Sequence, residues 1–317
     1  MIDISQLCQE LQDKFELEFK GEFEQVAFFK RIKTALFFCI GGIFFTNVIL
    51  MLINKGEFSL VGVIGLMIFS IIGVGIVIYF VDFITKKKLE SFQRKYNDKV
   101  GKYLLEKYYT NVKIHSDDDF DYTKIYDSVG YDEKYNRDDC YVQSEMKYRD
   151  KNIRLMDIRF DHVDINENGV ESNKKEIFNG AFIEVSLDYN IETRIAITKE
   201  GLYGHGIGCK NKVEMDSKEF EDLFNVYADN TEKAKQLLSK EVMEIFKQMY
   251  SVSKNGFEVA IIKDKMYLRI PHDNHLFYVG IEKLIEHDYV NNDMQLLYLA
   301  TAIIDNVDYA VKHNNVA

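Results

Sequence analysis

Three short stretches carry residue types whose spacing could do chemistry. Asp164-x-Asn166-x-Asn168-Gly169 matches positions one, three, five and six of an EF-hand calcium loop. Position twelve, where a bidentate Glu closes the shell, is Lys175, with Glu176 one place later. The flanks alternate like strands, so a polar hairpin loop accounts for the same residues. Gly204-His205-Gly206-Ile207-Gly208 has the look of a phosphate loop, but Cys209-Lys210-Asn211-Lys212 follows without helical periodicity. A phosphate cradle needs a helix N-terminus there. Glycines in or between strands are the expectation. His272-Asp273-Asn274-His275 sets two imidazoles three apart after Pro271. No further ligand is evident nearby, so the stretch is predicted to be an exposed turn rather than a metal site.

Neither G-x-S-x-G nor H-E-x-x-H occurs. Cys8, Cys39, Cys140 and Cys209 are scattered and form no C-x-x-C, so neither a disulfide framework nor zinc follows. Reduced thiols in a reducing compartment are expected. The reading therefore assigns no catalytic residue, no cofactor and no metal, and predicts that the chain is not an enzyme. A net charge of -11 argues against binding nucleic acid.

The elements that would position such groups begin with a membrane signal. Thr34 to Ile53 is twenty residues without a charge, and Leu60 to Val81 is again uncharged. Each spans roughly 30 Å as a helix, the thickness of a bilayer core. The six residues between them can only form a turn, so the pair reads as a helical hairpin. Lys30, Arg31 and Lys33 precede it, Lys86, Lys87 and Lys88 follow it, and the turn holds only Lys55. The positive-inside rule then puts both termini in the cytoplasm of a multi-pass cell-membrane protein. A cleaved signal peptide is not expected, because the first apolar run starts late and lacks a small-x-small site after it. Gly62, Gly65 and Gly73 fall near one face of the second helix, and Asn47 is the one amide within a span.

Residues 1–33 place Ile4, Leu7, Leu11, Phe15, Phe19, Phe23 and Val26 at helical steps, and residues 82–113 repeat the pattern from Leu89 to Tyr108. Antiparallel pairing of the two stripes as a stalk would bury both. Residues 34–53 and 60–81 are the spans, 54–59 the external turn, and 114–317 a cytoplasmic domain. Val112 to Tyr135 is polar and reads as a linker. Strand alternation covers Tyr141 to Tyr148, Arg154 to Asp164, Ile177 to Leu187 and Thr193 to Thr198. A helix is expected from Thr231 to Tyr250, opened by Asp229-x-x-Glu232. Phe257 to Ile262 and Met266 to Ile270 read as a hairpin, and Asp293 to Lys312 as a final helix. The fold class is α+β: a largely antiparallel sheet with packed helices, behind the transmembrane hairpin and its stalk.

Phe178-Asn179-Gly180-Ala181-Phe182 resembles an F-x-G-x-F strand, and the stretch Glu219 to Ala228 resembles an E-F-x-x-x-F-x-V-Y signature. Both resemble the bacterial membrane protein family catalogued as domain of unknown function 3137. The resemblance spans roughly residues 90 to 280 and implies two spans with a cytoplasmic domain. It brings no catalytic residue.

The leading expectation is a non-enzymatic docking or assembly module with the lipid bilayer, an unknown protein or its own copies as partners. The alternative is a membrane-associated enzyme or small-ligand receptor. A cleft of convergent polar groups with perturbed pKa values would separate the two. A transport component is the weakest reading, since neither span holds an ionisable group.

Overall fold

A computed structural model describes residues 2–53, 60–115, 121–131, 134–166, 171–199, 208–209, 211–253, 255–278 and 284–313. The chain forms two compact units, one of residues 1–96 with 279–287, the other of residues 97–278 with 288–317.

The first unit is built on two long helices, α1 (Ile4–Ile53) and α2 (Leu60–Tyr96). Asp3 opens α1 by accepting a hydrogen bond from the Gln6 amide at 3.1 Å, which satisfies a donor the helix cannot. No proline separates the amphipathic stretch from the apolar run, so the two expected segments are one helix. The stripes pair antiparallel as expected. Phe19 meets Phe92 edge-on at 5.7 Å and Tyr96 at 6.0 Å. Lys95 reaches Glu22 at 2.6 Å, and Lys88 reaches Gln25 at 3.1 Å. Among the described residues, no helix is long and apolar enough to cross a membrane. The turn 54–59, and more than half of the side chains in 34–53 and 60–81, lie outside those residues.

The expected stalk helix ends early. After Tyr96 come a π-helical turn (Asn97–Gly101), a short α3 (Lys102–Leu105) and then a strand, β1 (Thr110–His115). Part of the expected polar linker is also ordered structure. β1 uses its β-branched Val112 and Ile114 in a sheet edge. Asp121 caps α4 (Tyr122–Val129) by accepting from the Lys124 amide.

The sheet of the second unit runs β1-β2-β3-β4-β6-β5, and β7 pairs with β4 as well. Its strands are β2 (Arg137–Tyr148), β3 (Lys151–Ile165), β4 (Glu171–Lys199), β5 (Asn211–Val213), β6 (Phe224–Ala228) and β7 (Glu258–Pro271). All pairings are antiparallel. β4 is the spine. Its first half pairs with β3 and its second half with β6, while β7 follows both halves.

Two expected breaks therefore vanish. Asp188-Tyr189-Asn190 sits in a bulge inside β4 rather than a turn between strands, because the register moves from Ser186↔Lys265 to Ile191↔Lys263. Lys263 takes φ 57° at that irregularity, so the expected hairpin of residues 257–270 is one continuous strand.

One face of the sheet holds Met156, Ile158, Phe160, Phe178 and Phe182 around Tyr126 of α4. Beyond β4, a short α5 (Lys218–Glu221) precedes β6. The expected helix at 231–250 is two helices, α6 (Thr231–Leu237) and α7 (Lys240–Val252). The N-cap of α6 is Asn230, one place after the expected Asp229. Phe220 and Phe224 of the E-F-x-x-x-F stretch pack ring to ring at 5.0 Å, and Phe224 meets Phe246 and Phe257.

The last helix, α8 (His287–His313), starts earlier than expected. It buries its predicted stripe of Leu296, Leu297, Ala300, Ile303, Ile304, Val307 and Val311. Tyr148 donates to Asp305 at 2.9 Å, and Lys151 reaches Asp308 at 2.7 Å, which fixes the end of α8 beside the start of β3.

Candidate functional site

The site is built around one carboxylate that the strand pattern turns inward. Period-two alternation places Asp157 on the same face of β3 as the buried Ile153 and Leu155. Asp157 is fully buried. A carboxylate there needs partners, since burying an unpaired charge is costly.

The turn after β7 supplies them. Asp157 Oδ2 accepts from the Leu276 amide at 2.8 Å. Its Oδ1 lies 3.1 Å from His272 Nε2, and Oδ2 lies 3.7 Å from His275 Nδ1. A second buried carboxylate, Asp293 of α8, accepts from the next amide, Phe277, at 3.1 Å. Phe277 takes φ 55°, the left-handed region, so the turn is held against its own backbone preference. Its ring lies against Gly101, where a Cβ would stand 2.7 Å from a ring carbon.

The register of β4 secures the start of this turn. Asn179 accepts from the His272 amide and donates its side-chain amide to the His272 carbonyl, each at 3.1 Å. On the other side, the His275 ring stacks on Tyr141 of β2 at 3.2 Å between centroids. The two imidazoles retain side-chain exposures of 16% and 25%. The expected turn is exposed at Asp273 and Asn274, but its two imidazoles are half-buried, drawn inward toward Asp157.

The environment separates the protonation states. Burial alone would lower His272, but the close Asp157 carboxylate, with the charge of Asp293, raises it. Burial lowers His275, helped by His272 and Arg159 against Asp157. Burial pushes Asp293 up to about 8, with His272 and the Phe277 amide opposing. Burial, then the charge of Asp139, pushes Tyr141 up to about 12.

His272, His275 and Asp293 border a cleft of about 150 Å³, lined also by Asn274, Asn292 and Gln295 among others. Asp157 Oδ1, both His272 ring nitrogens and His275 Nδ1 are buried without a hydrogen bond of good geometry, although Asp157 Oδ1 lies 3.1 Å from His272 Nε2. Among the described residues, no three of His, Cys, Asp or Glu are placed to hold a metal ion.

The other stretches do not join this site. Residues 167–170 of the EF-hand-like loop lie outside the described residues, and Asp164 pairs with Ser172 in the β3–β4 ladder. Residues 200–207 of the glycine-rich stretch also lie outside them; Gly208 has φ 74° beside Arg194. No disulfide joins the four cysteines.

Residues 176–309 match the model of a family described as a protein of unknown function, DUF3137. The DUF3137 segment contains Asn179, His272, His275 and Asp293, while Asp157 lies just before it. No curated protein matches the chain. Among solved structures, the crystal structure of the mycobacterial trehalose monomycolate transport factor A, TtfA, is similar at 8% identity with a TM-score of 0.33. It covers 68% of this chain and 96% of its own. A likeness of that degree carries no argument about fold or function.

Proposed function

We propose that this protein is a membrane-anchored, non-enzymatic receptor that holds a small polar ligand in the cleft beside His272 and Asp293. The observation that carries the reading is the set of imidazole nitrogens of His272 and His275, cleft-lining residues whose ring atoms are buried without a hydrogen bond of good geometry. Each such atom costs about 1–3 kcal/mol when unsatisfied, so a polar occupant has something to gain there. Convergent polar groups with displaced pKa values favour a ligand site over the docking or assembly role.

The anchor is supported by outward-facing apolar side chains along both long helices. Phe38, Phe45 and Ile49 of α1, with Ile72, Ile76 and Phe80 of α2, are all exposed. Exposed large apolar side chains at this density suit lipid better than water. The basic residues at both outer ends of the hairpin favour cytoplasmic termini, with Gly56 outside.

The ligand reading is tested with the full-length protein in detergent, melted against a panel of small carboxylates, amines, phosphates and sugars. At least one class should raise the melting midpoint by several degrees, and Asn292→Leu should abolish the shift. A panel that moves nothing, or a shift that survives Asn292→Leu, overturns the ligand site. Topology is tested with a reporter inserted at Gly56, which should behave as external, against one at Ala317, which should not. Native Cys209 is a poor probe for this, since burial and Asp229 push its thiol up to about 12.

A further inference from the structure

Two carboxylates from separate elements hold consecutive amides of one strained turn. Asp157 of β3 takes Leu276, and Asp293 of α8 takes Phe277. We infer that this pair is a proton-operated latch, which keeps turn 272–278 closed beside the cleft while the cluster holds its protons and releases it as they leave. The inference rests on the geometry of the turn and stands whether or not the cleft takes a ligand.

The charged and titratable groups facing the latch come from every element packed on it. β3 contributes Asp157 and Arg159, β2 contributes Asp139 and Tyr141, the turn contributes His272 and His275, and α8 contributes Asp293. Arg159 is engaged elsewhere, with Asp161 and Glu176, each at 3.1 Å. His272 is therefore the cation that balances the pair. With His272 charged and Asp293 neutral, Asp157 is matched and the cluster is neutral. With both protons gone, two buried carboxylates face each other without a cation between them, an arrangement that low dielectric penalises heavily.

The direction follows from linkage. Asp293 holds a proton up to about pH 8 when the turn is closed, but releases it near the ordinary value of 3.8 when the turn opens. Between those limits the closed state binds more protons, so closure weakens as pH rises, by up to tenfold per unit. His272 is raised from 6.5 and adds a loss in the same direction above that value.

Hydrogen exchange of the full chain in detergent, corrected for intrinsic rates, reads the latch directly. Protection of the peptide carrying Leu276 and Phe277 should fall at least tenfold between pH 6 and 8. Asp293→Asn, which keeps the shape and cannot ionise, should remove most of that slope while distant strands stay unchanged. If Asp293→Asn does not fold, His272→Gln serves instead, and should leave the turn less protected at pH 6 by removing the balancing cation. A protection profile that is flat from pH 6 to 8 in the natural chain overturns the latch. So does one that neither variant alters.

Discussion

Asn179 holds His272 by both of its backbone polar groups, accepting from the amide and donating to the carbonyl at 3.1 Å each. One residue of β4 thus sets the entry to the turn that carries both imidazoles. Removing its side chain should leave the strand paired but loosen the turn. Asn179→Ala is expected to cost about 1 kcal/mol, the usual net worth of a hydrogen bond. Thermal melts will measure the loss, and exchange should localise it to residues 272–278.

Gly180, next in the chain, answers to a harder constraint. A Cβ there would stand 2.4 Å from the Ile270 carbonyl oxygen and 2.8 Å from Pro271 Cα, both backbone atoms of β7. Gly180→Ala should destabilise by about 2–3 kcal/mol or prevent folding, as overpacking against rigid backbone does. Gly21→Ala is the control. Among the described residues, nothing beyond its chain neighbours and the backbone of its own helix lies within 4 Å of a Cβ there, inside α1, so that change should be neutral or slightly stabilising. Chemical denaturation of the two variants side by side tests the contrast.

Arg269 and Glu258 form a buried ion pair at 3.2 Å, with the guanidinium 4.5 Å from the Phe178 ring centroid and 4.7 Å from that of Tyr131. Arg269→Met alone should cost about 3–5 kcal/mol by stranding a buried carboxylate. Arg269→Met with Glu258→Met should recover much of that loss. A double-mutant cycle on melting midpoints would show the recovery, and a double variant no better than the single would refute it.

Acid should act through different groups from the latch. Burial would raise Asp161, but Lys174 and Arg159 outweigh it and hold the carboxyl low. Lys151 and Lys312 do the same for Asp308. A carboxyl lowered by folding adds stability above its unfolded value of 3.8, and that stability is lost as pH falls through the lower folded value. Stability should therefore collapse below about pH 4. Asp161→Asn and Asp308→Asn should each flatten that acid limb, which pH-dependent melts would reveal.

Much of the architecture was legible because burial writes itself into spacing. The stripe of α8, the alternation of β2 and β3 and the antiparallel pairing of the two long helices all follow from which positions must leave water. The misreadings share a cause. Asp188-Tyr189-Asn190 and Lys263-Asp264-Lys265 are turn-like locally, yet pairing across β4 and β7 absorbs them as a bulge. Thr110–His115 and Tyr122–Val129 are too polar to announce themselves, and become ordered by packing on the sheet.

The site was hidden for a related reason. Asp157 interrupts an apolar face by one residue, and nothing within its strand says that two imidazoles arrive from more than a hundred positions away. His272 and His275 sit among Pro, Asp and Asn, the composition of a surface turn. Only the long-range contact distinguishes the two cases.

The role of β4 as a spine has a consequence for how the chain is made. β3 pairs with it through a local connection, so that edge can close soon after both strands leave the ribosome. The opposite edge waits for β7, whose partners reach from Val259 to Pro271. Until then a long, apolar strand stands with one row of backbone groups unpaired, the condition in which nascent sheets join the wrong neighbour. High sequence separation between paired strands also slows closure. Synthesis at elevated temperature, or truncation before Pro271, should therefore yield aggregates rather than a smaller soluble sheet.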